Sequence, residues 1–281
     1  MRRIAATVLS LSILAACGGG GGGGEEAAST TTTKKATTTT AVEADIAPGS
    51  FPLTGTPAGG SANAGRIALA VKYDNAPKAR MQAGLNRADV IYEEKVEDGV
   101  TRFLAIFHSD QPTDAIGPIR SARTTDIALA VPLKRPLFAY SGTNDTFQRA
   151  IDQAPLVDVS PNKANVYFRQ RGRAAPYNLF ARASDFFGLA PQGSVAPPPL
   201  FAYRAEGAPF EGAGIAAGNG VNVVYKGRRV TTIADWTWNA GAGVYERSTD
   251  GVPHVDAIDN SRVTAKNLIV QFADYVDTGQ R

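Results

Sequence analysis

Seven consecutive glycines, Gly18 to Gly24, lead into a threonine-rich run, "EEAASTTTTKKATTTTAVEADIAPGS", that ends at Ser50. Low-complexity glycine and threonine cannot bury enough apolar area to offset the entropy of ordering the chain, so no packed core can include this stretch. It predicts a flexible tether over residues 17–50. With about 33 residues its root-mean-square span is on the order of 30 Å. Of the 281 residues, only those from about 51 onward are left to fold.

What precedes the glycines gives the tether its purpose. Arg2 and Arg3 stand before the apolar run Ile4 to Ala16, which is too short for a permanent membrane span of about 20 residues and has the form of an export signal over residues 1–16. Leu14-Ala15-Ala16-Cys17 resembles the lipobox of bacterial lipoproteins, in which the cysteine is acylated and becomes the first residue. The alternative is an ordinary secretory signal with an incidental cysteine. Cys17 is the only cysteine, so no intramolecular disulfide and no cysteine metal cluster can form. The expected partner is therefore a lipid bilayer, reached through acylated Cys17 on the outer face of the cell membrane. Each buried acyl methylene contributes about 0.8 kcal/mol, so two or three chains anchor firmly.

The whole chain is 43% hydrophobic and 20% charged, close to an ordinary soluble protein, so the remainder is expected to fold. The net charge of +3 includes the leader's Arg2 and Arg3, so the mature excess is about +1 and gives no reason to expect nucleic acid. Folded structure is expected to begin near Arg66, where "RIALAVKYDN" reads as a buried strand. Two β-rich runs, Val90 to Val96 and Thr101 to Ser109, flank Glu97-Asp98-Gly99 as a hairpin. Helical spacing follows from Thr124 to Leu133, a strand over Pro136 to Gly142, a capped helix opening at Asn144 or Asp145, and a short helix over Ser184 to Leu189. Such mixing predicts an α/β or α+β layered domain over residues 51–193. Pro197-Pro198-Pro199 marks a connector, and alternating runs beyond it predict a smaller β-rich domain over 200–281, ending in an apolar strand, Asn267 to Val276.

No Gly-x-Ser-x-Gly elbow, His-Glu-x-x-His or phosphate loop is present. With only two histidines, His108 at a strand end and His254 in a polar turn, no metal and no cofactor is expected. The most unusual cluster is Gly117-Pro118-Ile119-Arg120-Ser121-Ala122-Arg123-Thr124-Thr125-Asp126. Its two arginines, three apart, could present guanidinium forks to an anion. Alternatively they pair with Asp126, Glu93, Glu94 or Glu97 in a structural network. The candidate binding set is Arg102, Arg120, Ser121, Arg123, Asp126 and Asn178. Asp89, Glu93, Glu94, Glu97 and Asp98 form an acidic run from which Glu93 and Glu97 are candidate acid–base residues. Strand alternation would put Glu93, Lys95 and Glu97 on one face and Glu94 on the other, and a merely solvated strand face explains the run as well. The basic and aromatic tract Val166 to Phe180 suits a glycan or surface packing. Trp236 and Trp238 share one strand face, with core packing the simpler reading.

The stretches "AGLNRADVIYEEKVEDGVTRFLAIFHS", "IGPIRSARTTDIALA", "RAAPYNLF", "GVYERSTDGVPHVD" and "TAKNLIVQF" resemble the YerB-like bacterial lipoproteins, a family classed as a domain of unknown function. The resemblance runs from about Ile67 to the C-terminus and implies an N-terminal α/β domain followed by a smaller β-rich one. It transfers no catalytic residue. The chain departs from the family at His108, a position where the family is expected to tolerate glutamine, and at its end, since the family's C-terminal domain is expected to run on past Val276 and leave residues 200–281 an incomplete sheet. Together these readings predict an anchored envelope protein that binds a cell-wall glycan, a peptide or an envelope protein. The alternative is a hydrolase or transferase acting on wall polymer.

Overall fold

The computed structural model describes residues 46–204, 208, 218–274 and 276. The expected export signal, Cys17 and nearly all of the tether lie outside the described residues. Structure begins earlier than Arg66: Ser50 bridges to Pro57, and Leu53 is buried in a core cluster.

The central strand is β1 (Leu69–Asp74), every residue of which is buried. Such a strand must be covered on both faces, which is why its sequence is a nearly continuous apolar run. It pairs antiparallel with β3 (Thr101–Phe107), which in turn pairs antiparallel with β2 (Val90–Lys95). A two-residue strand, β4 (Ala115–Ile116), follows later in the chain and joins a separate sheet. On its other side β1 runs parallel to β5 (Leu137–Ala139), and β5 runs parallel to β6 (Val157–Asp158). The order is β2-β3-β1-β5-β6.

Alternation along the strands divides the core in two. Leu69, Val71, Tyr73, Phe103, Ala105 and Phe107 face one way. They meet the small sheet β4-β8-β7, in which β7 is Phe168–Arg169 and β8 is Leu179–Arg182, and α3 (Ala183–Phe187) through Phe186. Ala68, Ala70, Leu104, Ile106 and Phe138 face α1 (Thr124–Ala130) and α2 (Asp145–Gln153), meeting Ala130, Phe147 and Ile151. The α2 helix opens as its sequence suggests, with the Asn144 side chain accepting a hydrogen bond from the Phe147 N–H at 2.8 Å. The fold is α/β with a smaller β-rich C-terminal sheet.

That sheet comprises β9 (Gly220–Lys226), β10 (Thr231–Asn239), β11 (Val244–Thr249), β12 (Val252–Pro253) and β13 (Thr264–Ala265). Its order is β12-β11-β10-β9, with β13 also on β11. Val263 is buried in the first core cluster and Trp236 packs against it, whereas Trp238 is exposed and packs on Tyr245 with ring centroids 4.9 Å apart and planes tilted by 58°. Among the described residues of the segment expected as a strand from Asn267 to Val276, none is in a strand. Residues 267–274 take no strand partner, and Ile269 and Phe272 are 73% and 95% exposed. High β-propensity alone does not make a strand, because it reflects packing against cross-strand and same-face neighbours.

Candidate functional site

The sheet's register places a polar row where the apolar stripe stops. On the helix-covered face, Ala70, Ile106 and Val90 lie abreast, then Lys72, Leu104 and Tyr92, then Asp74, Arg102 and Glu94. The last row stands at the carboxyl end of β1. Ligands of open α/β sheets bind at the carboxyl ends of the strands.

At this end β1 and β5 part company, and the segment 118–122 fills the gap between them. Arg120 N–H donates to the Lys72 carbonyl at 2.8 Å, and Asp74 N–H donates to the Pro118 carbonyl at 3.1 Å. On the other side Ser141 N–H donates to the Arg120 carbonyl at 2.9 Å and Ala122 N–H to the Gly142 carbonyl at 3.1 Å. The motif that stood out in the sequence is thus an extended segment hydrogen-bonded on both sides, and this pairing delivers Arg120, Ser121 and Arg123 to the polar row.

Three guanidinium groups meet there. Arg102, with a side chain only 8% exposed, donates from Nη1 to the Ser121 carbonyl at 2.9 Å, while its Nε is buried without a hydrogen-bond partner. Arg120 pairs through Nε with Asp74 at 2.8 Å. Arg123 donates from Nε to Glu97 Oε1 at 2.6 Å, and its Nη2 contacts the same oxygen. Arg102 Nη2 lies 3.8 Å from Glu97 Oε2. Burial first, and the neighbouring Arg123 next, pull the Arg102 guanidinium down to about 10. Burial alone would raise the Glu97 carboxyl, but a backbone hydrogen bond together with Arg123 and Arg102 holds it below its ordinary range. The Ser121 and Ser141 hydroxyls lie 3.5 Å apart, both half-buried.

On the buried side of this row sits Lys72, wholly inaccessible. Its ammonium contacts Glu94 and donates to Asp126 Oδ1 at 2.7 Å, while the Thr125 hydroxyl donates to the other Glu94 oxygen. Burial holds the Lys72 ammonium below its usual range, opposed chiefly by Asp126. Asp126 also accepts the Arg123 N–H at 2.6 Å and so fixes the start of α1. Lys72 with its two carboxylates is negative in excess, whereas the three arginines with Asp74 and Glu97 are positive in excess. The layer is polarised, with the positive excess on the arginine side and the Glu97 carboxylate outermost.

The sequence candidates therefore divide. Arg102, Arg120, Ser121, Arg123 and Asp126 come together. Asn178 does not join them: it donates to the Arg173 carbonyl and accepts from Arg169, bracing the β7–β8 hairpin. Glu93 and Glu94 do lie on opposite faces, but Glu97 follows the end of β2 in a 3-10 turn (Glu97–Gly99) and shares no strand face with Glu93. Among the pairings expected for the arginines, Arg123 with Glu97 forms, while Arg120 takes Asp74 instead. Asp74 and Lys72 were missed as site residues. The signal was there, in a lysine and an aspartate two apart within an otherwise apolar strand.

Glu93 belongs to a different place, the dock of the C-terminal sheet. Arg247, 1% exposed, grips both Glu93 oxygens at 2.8 and 2.9 Å. His254 is not in a polar turn but buried: its Nδ1 accepts from Arg247 Nε at 3.1 Å and its Nε2 donates to Gln82 Oε1 at 2.7 Å. Burial and Arg247 lower its imidazole to about 3, so it is neutral. Asp256 accepts the N–H groups of Gly84 and Asn86. His108 is buried as well, facing the Arg66 carbonyl at 3.1 Å. In the basic tract, Arg173 reaches the Ala79 and Met81 carbonyls rather than open solvent. Among the described residues no group of three or more His, Cys, Asp or Glu could hold a metal, and no helix is long and apolar enough to cross a membrane.

A model described as the N-terminal domain of a protein of unknown function (DUF3048) matches residues 53–193, and its C-terminal counterpart matches 221–281. The Bacillus subtilis (strain 168) protein named "Putative lipoprotein YerB" is 27% identical over 217 residues, covering 75% of this chain and 63% of the relative, so the chain spans less than two thirds of that relative's length. The crystal structure of the YerB protein from Bacillus subtilis matches with a TM-score of 0.66 and 25% identity, over 76% of this chain and 71% of that one.

Proposed function

The chain belongs to the DUF3048 family, a relative of which is named as a lipoprotein, and from that premise we propose an exported protein held on the outer membrane face through acylated Cys17 that binds an anionic group of a cell-wall or envelope component. The site is the cluster Arg102, Arg120 and Arg123, with Ser121 beside it. One observation carries the reading. Arg102 is nine-tenths buried with an unpaired Nε, among two further guanidinium groups at a strand end that opens to solvent. The three guanidinium groups share only two carboxylates, Asp74 and Glu97, and the positive excess that remains favours an anion, for which arginine forks suit carboxylate or phosphate oxygens.

The acid–base alternative finds less support. Glu93 is occupied on both oxygens by Arg247, and Glu97 is held in its charged form by two arginines, the opposite of a general acid's raised pKa.

The full chain in mild detergent should bind purified wall sacculi or a solubilised envelope component saturably and without product. Arg120→Ala combined with Arg123→Ala, shown folded by circular dichroism, should lose most of that binding. Undiminished binding by the folded double variant would remove the site from consideration.

A further inference from the structure

Glu97 differs from every other carboxylate in the cluster. Asp74, Glu94 and Asp126 are each at most 9% exposed at the side chain and are locked to Arg120 or Lys72, whereas Glu97 is 64% exposed. It is carried on a turn rather than a strand, and its carboxylate lies between two guanidinium groups, on Arg123 through one oxygen and 3.8 Å from Arg102 through the other. An exposed ion pair is weakly held and exchanges readily with solvent or with another anion. A ligand arriving from solvent meets this carboxylate first.

We propose that Glu97 is a built-in occupant of the arginine site, and that the natural ligand presents a carboxylate, such as a peptide C-terminus or acidic side chain, which replaces it between Arg102 and Arg123. The inference rests on the binding reading above and adds the ligand's chemical class. The chain itself shows the complementarity: a planar carboxylate already spans the two forks. With Glu97 swung out, the atoms it now faces, Arg123 Nε and Nη2 and Arg102 Nη2, are available to the incoming group. The Ser121 and Ser141 hydroxyls stand beside them as further donors. The buried Lys72, Glu94 and Asp126 are unaffected by the exchange and keep the row in place.

The test uses the full chain in mild detergent with N-acetylglycine as the carboxylate probe. N-acetylglycine amide serves as its uncharged control and inorganic phosphate as the competing anion class. Glu97→Gln keeps the side chain's length and an oxygen for Arg123 while removing the competing charge. It should bind N-acetylglycine roughly fivefold more tightly than the unsubstituted chain, the scale of one exposed ion pair. Phosphate should gain less, and the amide should not bind. Glu97→Ala should show the same gain, which guards against a peculiarity of the glutamine. Equal or weaker N-acetylglycine binding by both variants overturns the built-in occupant, and an equal gain for phosphate overturns the carboxylate class. In either case, binding to sacculi that still depends on Arg120 and Arg123 would leave the broader reading standing. Absence of both that binding and any probe binding would remove the two together.

Discussion

At Lys72 a single ammonium group, cut off from solvent, holds two buried carboxylates, and removing it strands both. Breaking one partner out of a buried ionic group typically costs about 3–5 kcal/mol, because the charges left behind have lost both water and counter-ion. Lys72→Met should lower the unfolding free energy by about that much in urea titration. Adding Glu94→Gln and Asp126→Asn to it should recover part of the loss. A second residue-scale prediction concerns His254. The unfolded imidazole titrates near 6.5, whereas the folded one is lowered to about 3 by burial and by Arg247. Between those values the unfolded chain binds a proton that the folded chain refuses, so stability falls as pH drops, by up to about 1.4 kcal/mol per unit for one such group. His108 is shifted the same way and adds a slope of the same sign. His254→Gln should flatten the dependence of stability between pH 6.5 and 5, above the range where carboxylates titrate, and leave the part due to His108.

Among the elements, the turn that carries Glu97 is pinned from behind by the C-terminal sheet. Gly99, at φ +82°, lies so close to the β9–β10 turn that a Cβ there would stand 2.2 Å from the Val230 carbonyl oxygen. A Cβ on Gly227 would stand 2.1 Å from the Asp98 carbonyl carbon. Gly99→Ala should therefore destabilise by more than the roughly 1–3 kcal/mol that left-handed backbone strain costs by itself, read as a lower melting temperature and faster proteolysis within residues 227–230. Much at this scale was legible beforehand. Asp-Gly between two β-rich runs announced the hairpin, and Asn144 before a helical pattern announced α2, because turn and cap chemistry are local. The apolar segment at 267–276 misled, since a strand is completed by its neighbour and no sequence window contains the neighbour. The site was legible in the same measure. Arg120 and Arg123 announced themselves by their spacing, whereas Asp74 and Lys72 joined them through cross-strand register. His254 was misjudged because its polar surroundings in the sequence are internal surroundings in the fold.

Across the whole molecule, the β-rich sheet and the α/β part share a core through Val263 and Trp236 and share ions through Glu93 and Arg247. They should unfold together. Both tryptophans lie in β10, so their fluorescence reports on the C-terminal sheet while far-ultraviolet circular dichroism reports on the whole; coincident thermal transitions are expected, and two separated midpoints would show independent units. At the same scale, Cys17→Ser should release the chain from the membrane fraction in a native host, with unchanged fractionation counting against the lipid anchor. The contact between the two parts also bears on how such chains can change over time. Gln82 is wholly buried and spends its side chain on both sides, donating to the Asp74 carbonyl and to Asn75 while accepting from His254. Replacing either Gln82 or His254 alone leaves a buried hydrogen-bonding atom without a mate, whereas replacing both together need not. Across the family's sequences these two positions, 172 residues apart, should therefore vary in concert, drifting as a pair where either would be purged by itself.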